Sequence, residues 1–474
     1  MKIVYAEENE FQSINCTLCG DTHAKKKILN IHSGDKIFDL FLCDNCKAYF
    51  YHPFEPPKYD SKGENEESRI SLFRYNVEFA TDYFLTIFPL MVIENYLKDL
   101  KKKEGKIKFL DVGSGVGIGL LYAKYYFDFE SFGIEPAKYG KLVEHFLNVP
   151  IFSGYLEDFT SNERFHIITC MQVIEHIKDP VRFLKKLKDL LKENGILIMT
   201  TPHSERVYFE HGIALPTLSP GQHVIIYNET SMAYLLEQAG FRNYKILRDI
   251  GGDLLIFAFN DSSQDGNILE KDIFNSLFAS KKFIEISESI LSNLEKKISN
   301  PFYVGLLYRL FKYHIGLGNY IKAFSLIFDV RYEILLDPKK LSMVNNLNNI
   351  NTLEEWGMFF IYSYHCFLYY YAMLKLNFFS NIPEAIQYFS ISSKLCEAWL
   401  IKGFSADIES KEIYYRSVFH EAYALYRNGE YDKAYEKLRH FISFSSNEPS
   451  YIKLKPPQDL IFRAEELIKN IRNL

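Results

Sequence analysis

Short apolar runs closed by polar turns alternate with amphipathic stretches over the first half of the chain, and the second half reads almost wholly as helix. KFLDV from Lys108 predicts a strand, LLYAKYYFDF a helix, and SFGIEP a second strand ending at Glu135. VPIFSGYLEDF predicts a third strand and turn. FHIITCMQVIEHIKDP predicts a fourth strand, then a loop and a helix. LKKLKDLLKENG, residues 184–195, predicts an amphipathic surface helix with its lysines in water; a turn at Asn194-Gly195 and a fifth strand follow. Strands and helices in this alternation imply an α/β, doubly wound sheet.

The loop after the first strand is GSGVGIG, with glycine at every second position, and Asp111 stands just before it. Such a loop lets a ligand lie against bare backbone. Asp111 lies at the carboxyl end of its strand, where open α/β sheets bind ligands. A dinucleotide fingerprint needs GxGxxG. Starting from Gly113 the third position is Ile118, and from Gly115 it is Leu120, so neither register completes it. Glu135, 24 residues beyond Asp111, stands close to the spacing at which an acid grips ribose hydroxyls.

The pattern DxGxGxG, followed by these strands in this order, resembles the class I S-adenosylmethionine-dependent methyltransferases. QVIEHIKDPVRFLKKLKDLLKENGILIMTTPH, residues 172–203, is similar to a subgroup carrying EH, a DP turn, KxxG and TPH. The resemblance covers about residues 14–258 and implies a Rossmann-like methyltransferase sheet with S-adenosylmethionine as cofactor. It places Asp111, Gly113, Ser114, Gly115, Gly117, Glu135, Pro136, Leu156, Glu157, Met171 and Gln172 at the cofactor, with Glu135 on the ribose. Two positions depart from the pattern: Tyr155 stands where an acid usually reaches the adenine amino group, and Phe165-His166 replaces Phe-Asp.

Cys16, Cys19, Cys43 and Cys46 form CxxC, a 23-residue spacer and CxxC, which predicts a tetrahedral thiolate site on two knuckles. Zinc is the expected ion, in a structural role, because a closed four-cysteine site has no open position at which to activate water. A redox role would need a thioredoxin-like βαβ setting, which is missing. The following YFYHPFEPPKYD resembles the segment joining a zinc ribbon to a methyltransferase core in sugar-modifying and related small-molecule enzymes. Cys170, Cys366 and Cys396 lie in apolar surroundings and read as packed thiols.

Composition narrows the partners. The net charge is −5 from 55 basic and 60 acidic residues, and the lysine runs are short, so no nucleic-acid partner is expected. No window reaches the roughly 20 apolar residues of a membrane helix, and MKIVYAEENEF has acids where a signal peptide needs an apolar core. No membrane partner and a cytoplasmic location are therefore expected.

Methyl transfer from a sulfonium needs an aligned acceptor and a group to take its proton. His176 after the fourth strand, His203 after the fifth and His223 in LSPGQHVIIYNETS are the candidates; His223 leads as base or acceptor-orienting group, with Tyr227 as helper. His176 reads as a loop or cofactor-shell residue at least as well as a base. Asn228 or Thr230 could cap the next helix, and Gly240 ends it. The resemblance implies a small-molecule, sugar or glycan-precursor acceptor, methylated on oxygen or carbon. A second reading is a non-catalytic S-adenosylmethionine-binding or scaffold protein.

The polar break NDSSQDGNILEKD, residues 260–272, ends this region. Beyond it, GLGNYIKAFSL, FFSNIPEAIQYF and YRNGEYDKAYEKL share a helix-hairpin signature with Ala323, Ala385 and Ala434, resembling tetratricopeptide turns. Spacings of 62 and 49 residues between those alanines, instead of about 34, make the array degenerate. The expected domains are a zinc-ribbon-like module and linker over 1–60, the methyltransferase over 61–262, and an all-α domain over 263–474 that docks a protein partner or self-associates.

Overall fold

In the computed structural model the parallel strands form where the sequence carries continuous apolar runs, because helices cover both faces of that sheet. The structure describes residues 2–7, 10–33, 35–53, 59, 65–208, 217–260, 269, 271–334, 337–404, 407–446 and 454–473. Most of the proline-rich linker and of the polar break at 260–272 lies outside these. By its contacts the chain divides into a unit of Met1–Gly63 with Asp82–Ile286 and a unit of Glu64–Thr81 with Ser287–Leu474.

The first unit holds two sheets. Strands β1 (Lys2–Tyr5), β2 (Phe11–Gln12), β3 (Lys25–Ser33), β4 (Lys36–Leu42) and β5 (Tyr49–Tyr51) make an antiparallel sheet. The larger sheet contains β6 (Lys108–Val112), β7 (Glu130–Ile134), β8 (Ile151–Phe152), β9 (Phe165–Met171) and β10 (Leu191–Thr201). One further strand, β11 (Ile225–Ile226), leaves the region of the larger sheet and pairs antiparallel with β5, Ile225 opposite Phe50. Strands β12 (Asn243–Arg248) and β13 (Leu254–Phe259) complete the larger sheet in the order β12-β13-β10-β9-β6-β7-β8. Strands β6 to β10 run parallel, and β13 is antiparallel to β10. The order reverses beside β6, which puts the ligand crevice at the carboxyl ends of β6, β7 and β9.

The five strands predicted for the sheet are present. The expected turn at Asn194-Gly195 is absorbed into β10, whose pairing with β9 breaks register between Leu191 and Ile196. The surface helix is Pro180–Leu190: Asp179 caps it by accepting from the Arg182 amide at 3.1 Å, Pro180 opens it, and Phe183, Leu184, Leu187 and Leu190 form its buried stripe.

The second unit is helical, with Pro301–Gly316, Tyr320–Ile327, Tyr364–Asn377, Ile382–Ile401, Ile408–Arg427, Tyr431–Ser446 and Gln458–Arg472 as its longer elements. Helices meet at the three predicted hairpins, and Ala323, Ala385 and Ala434 are fully buried there. Residues Glu66–Tyr75 and a π-helical turn at Asn76–Ala80 belong to this unit, although the sequence reading groups them with the sheet domain. Among the described residues no helix is long and apolar enough to cross a membrane.

Candidate active site

The glycine loop leaves β6 with Gly113 at φ 69°, and a Cβ there would lie 2.5 Å from Val173 Cγ2. Only glycine lets the loop press against the segment after β9. Asp111 turns beneath the loop: Oδ1 accepts from the Thr169 hydroxyl at 2.7 Å, and Oδ2 lies 2.7 Å from where a Cβ on Gly119 would sit. Burial pushes the Asp111 carboxyl up to about 7; the Thr169 hydrogen bond opposes that rise and the Glu135 charge adds to it.

Glu135, at the end of β7, accepts from the Gly115 amide at 2.7 Å through Oε2 and from the Ala137 amide at 2.8 Å through Oε1. Its carboxylate is thereby locked at the rim of a cavity of about 620 Å³. Of the residues expected at the cofactor, Gly113, Gly115, Glu135, Pro136, Leu156, Glu157 and Gln172 line this cavity. Asp111, Ser114, Gly117 and Met171 do not line it. Ser114 is buried with its hydroxyl unpartnered, Gly117 stands at the amino end of the helix Ile118–Tyr125, and Met171 Sδ takes a contact from Thr200 Oγ1 at 3.7 Å.

Tyr155 lines the cavity, and its hydroxyl accepts from the Tyr59 amide at 2.8 Å. Tyr59 also lines it and sets its hydroxyl 3.0 Å from His176 Nδ1. Sequence reasoning missed Tyr59 because it lies in a proline-rich linker, where no periodicity marks a pocket residue. Gln172 is held at φ 56°, with its amide donating to Asp253 Oδ2 at 3.0 Å.

His176 and His223 come together, ring centroids 4.8 Å apart and edge to face. His223 Nδ1 donates to the Thr217 carbonyl at 2.7 Å, and His176 Nδ1 lies 3.1 Å from the Gln222 carbonyl. A carbonyl can only accept, so His223 Nδ1 carries the hydrogen and its Nε2 keeps its lone pair, whereas His176 Nδ1 stands between the Gln222 carbonyl and the Tyr59 hydroxyl, which can donate or accept. Burial pulls His223 down to about 4, with the neighbouring His176 adding to the effect, so it is neutral at pH 7. Glu175 is buried beside them and pushed up to about 8 by that burial. His203 is engaged elsewhere, with Nε2 3.0 Å from Glu229 Oε2. Tyr227 lies fully inside the core that also contains Cys16, Cys43 and Cys46, and its hydroxyl has no partner.

The cysteine knuckles close at the foot of the antiparallel sheet. Cys16 Sγ and Cys46 Sγ are 3.6 Å apart, as are Cys19 Sγ and Cys43 Sγ, and all four sulfurs lie within 4.8 Å of one another. A tetrahedron with bonds of about 2.3 Å has edges of about 3.8 Å, so the sulfurs fit a zinc ion. Each knuckle turns through a left-handed residue, Gly20 (φ 72°) in one and Lys47 (φ 61°) in the other. The amide of each turn residue donates to the leading cysteine's carbonyl, Gly20 to Cys16 at 2.9 Å and Lys47 to Cys43 at 2.8 Å.

Residues 89–246 match a family model described as a methyltransferase domain. The sheet unit carries a methyltransferase domain. The chain is 35% identical over 106 residues to the ubiquinone biosynthesis O-methyltransferase of Glaesserella parasuis serovar 5 (strain SH0165), covering 20% of this chain and 44% of that protein. It is 30% identical over 164 residues to the tRNA U34 carboxymethyltransferase of Campylobacter jejuni subsp. jejuni serotype O:23/36 (strain 81-176), covering 32% of this chain and 55% of that protein. The chain thus spans about half the length of these two relatives. Among solved structures, an O-methyltransferase family protein from Burkholderia thailandensis aligns at 15% identity and a TM-score of 0.29, over 38% of this chain and 59% of that one.

Proposed function

We propose that this protein transfers a methyl group from S-adenosylmethionine to a small-molecule, sugar or glycan-precursor acceptor. The observation that carries the reading is Glu135, fixed by two backbone amides at the rim of a 620 Å³ cavity, where a carboxylate can take both hydroxyls of a ribose. The cofactor, when bound, supplies an activated methyl on sulfur. The chain's own residues then have to hold ribose and adenine, orient the acceptor and receive its proton.

Gly113, Gly115, Pro136 and Leu156 give the ribose and adenine a wall of backbone and short apolar surface, and Glu157 adds a carboxylate to it. His176 faces the same cavity, and His223 stands behind it. With its hydrogen pinned at Nδ1, neutral His223 has the proton-accepting nitrogen at Nε2, and His176 can pass or share that proton. In this reading His223 and His176 serve the acceptor side, and Tyr227 packs behind them instead of touching substrate. The four-cysteine centre holds structural zinc, the helical unit offers its hairpins to a protein partner or a second copy, and the setting is cytoplasmic.

Calorimetric titration with S-adenosylmethionine and S-adenosylhomocysteine, beside Glu135→Ala, tests the proposal. Loss of two charge-assisted hydrogen bonds predicts a fall in affinity on the order of a hundredfold. Failure of the wild-type protein to bind either ligand would overturn the reading.

A further inference from the structure

The helices Tyr320–Ile327, Tyr364–Asn377 and Ile382–Ile401 of the helical unit, together with Arg331, border a further cavity of about 470 Å³. We propose that it is a carbohydrate site, holding one pyranose ring. It shares no lining residue with the cofactor cavity, and the inference does not rest on the methyltransferase reading.

One part of the lining is aromatic. Tyr371 and Tyr388 are buried, their ring centroids 5.1 Å apart and edge to face, and Phe324 meets Phe379 in the same way at 5.0 Å. Phe379 is 41% exposed, so apolar ring surface stands where the cavity meets solvent. A pyranose presents several C–H groups on one face. Their slightly positive hydrogens pack on the negative face of an aromatic ring, by the same attraction that holds a cation there. Lys375 shows that attraction at this site, with its ammonium 5.2 Å from the Tyr371 centroid and 5.1 Å from that of Phe379.

The other part is polar and carries both signs. Lys375 and Glu384 are ion-paired at 2.6 Å and stay partly exposed, and Gln387 and Arg331 stand beside them. Tyr371 and Lys375, four residues apart, share one helix face, as Glu384, Gln387 and Tyr388 do on the next helix. Ring surface and hydrogen-bonding groups therefore alternate around one space. A hydroxyl both donates and accepts, and two vicinal hydroxyls match the paired oxygens of a carboxylate or the paired N–H groups of a guanidinium. A wholly anionic ligand would meet Glu384, and a wholly apolar one would strip water from the Lys375–Glu384 pair without replacing it. A ring with an apolar face and a hydroxylated rim satisfies both parts, and the volume lies within the roughly 300–1,000 Å³ of small-molecule sites.

The test is saturation-transfer NMR on the full-length protein in excess S-adenosylhomocysteine, with the methyl glycosides of glucose, galactose, N-acetylglucosamine and glucuronic acid as probes. The expected result is transfer to the ring protons of at least one glycoside. The signal should fall at least about fivefold in Phe379→Ala and in Glu384→Gln, and stay unchanged in His223→Ala. Glu384→Gln keeps the side chain's size and guards against a folding failure of the other variant, and thermal unfolding checks that each is folded. No transfer to any of these glycosides at millimolar concentration, or full transfer in both variants, would overturn the carbohydrate site. Transfer lost only in His223→Ala would overturn it as well, by placing the sugar in the sheet unit. S-adenosylhomocysteine binding, measured on the same samples, decides the methyltransferase reading separately.

Discussion

The Tyr51 phenol donates a 2.7 Å hydrogen bond to the Leu218 carbonyl, tying the strand after the second cysteine knuckle to the loop that carries His223. The tie is reinforced by the Tyr51 amide on the Val224 carbonyl at 3.1 Å, by the Ile225–Phe50 pairing, and by Asn228 Nδ2 on the Lys47 carbonyl at 2.9 Å. Glu175 joins the same web, since its carbonyl accepts from the Val224 amide at 2.7 Å.

Removing the zinc proposed for the cysteine centre should therefore disorder the His223 loop before it disturbs the glycine loop, which hangs on the other sheet. Hydrogen exchange after chelation is expected to rise across 217–227 and to stay low across 108–119. Tyr51→Phe, which leaves the knuckles intact, should lower acceptor turnover several-fold while S-adenosylhomocysteine affinity changes little. Uniform loss of protection in both segments would refute this division.

Asp111 gives a pH dependence whose sign can be worked out. Its carboxyl is raised from 3.8 to about 7 in the folded protein, so the folded state binds the proton more tightly than the unfolded chain does. Its contribution to stability is greatest below about pH 4, declines as pH rises to about 7 and is flat above that, a span on the order of 4 kcal/mol. Asp111→Asn should remove that slope while keeping an oxygen for the Thr169 hydroxyl. Denaturant unfolding at pH 5 and pH 8 checks it: wild type should lose stability between the two relative to the variant.

The strand order, the glycine loop, Glu135 and the four cysteines were legible in the sequence, because each depends on local spacing and on runs of one polarity. The meeting of His176 with His223 was not, since 47 residues separate them and the contact exists only because β11 crosses to the cysteine sheet. Glu175 was visible only as half of an EH pair; what sets it apart is burial, which a single sequence does not display. Residues 64–81 were grouped with the sheet because they precede it in the chain, yet the groups that hold them come from helices more than 200 residues on.

Gly113→Ala should cost more than a glycine's ordinary freedom. A Cβ would have to tolerate φ 69° and stand 2.5 Å from Val173 Cγ2, driving Val173, and with it the Gln172–His176 segment, away from the cavity. The left-handed conformation alone costs about 1–2 kcal/mol. Cofactor affinity should drop, and Val173→Ala in the same chain should restore part of it. If the double variant binds no better than Gly113→Ala, the collision is not the cause.

Arg309 holds the π-helical turn in the helical unit. Its guanidinium, buried, donates to the carbonyls of Glu78 at 3.3 Å, Phe79 at 2.9 Å and Gly305 at 3.0 Å, and also reaches Val77 and Thr81. A turn with i to i+5 bonding leaves carbonyls unsatisfied by the helix itself, and this side chain gathers them. Beside it Glu78, fully buried, pairs with Arg74 at 2.7 Å and accepts from the Tyr362 amide at 3.0 Å, so the turn is pinned on two sides. Arg309→Met keeps much of the volume but strands the carbonyls, each worth about 1–3 kcal/mol when left buried and unpaired. Thermal unfolding of the helical unit should shift down by several degrees or more, whereas S-adenosylhomocysteine affinity, set in the other unit, should not change. An unchanged melting temperature would mean that water replaces the guanidinium at no cost, and that Arg309 does not hold the turn.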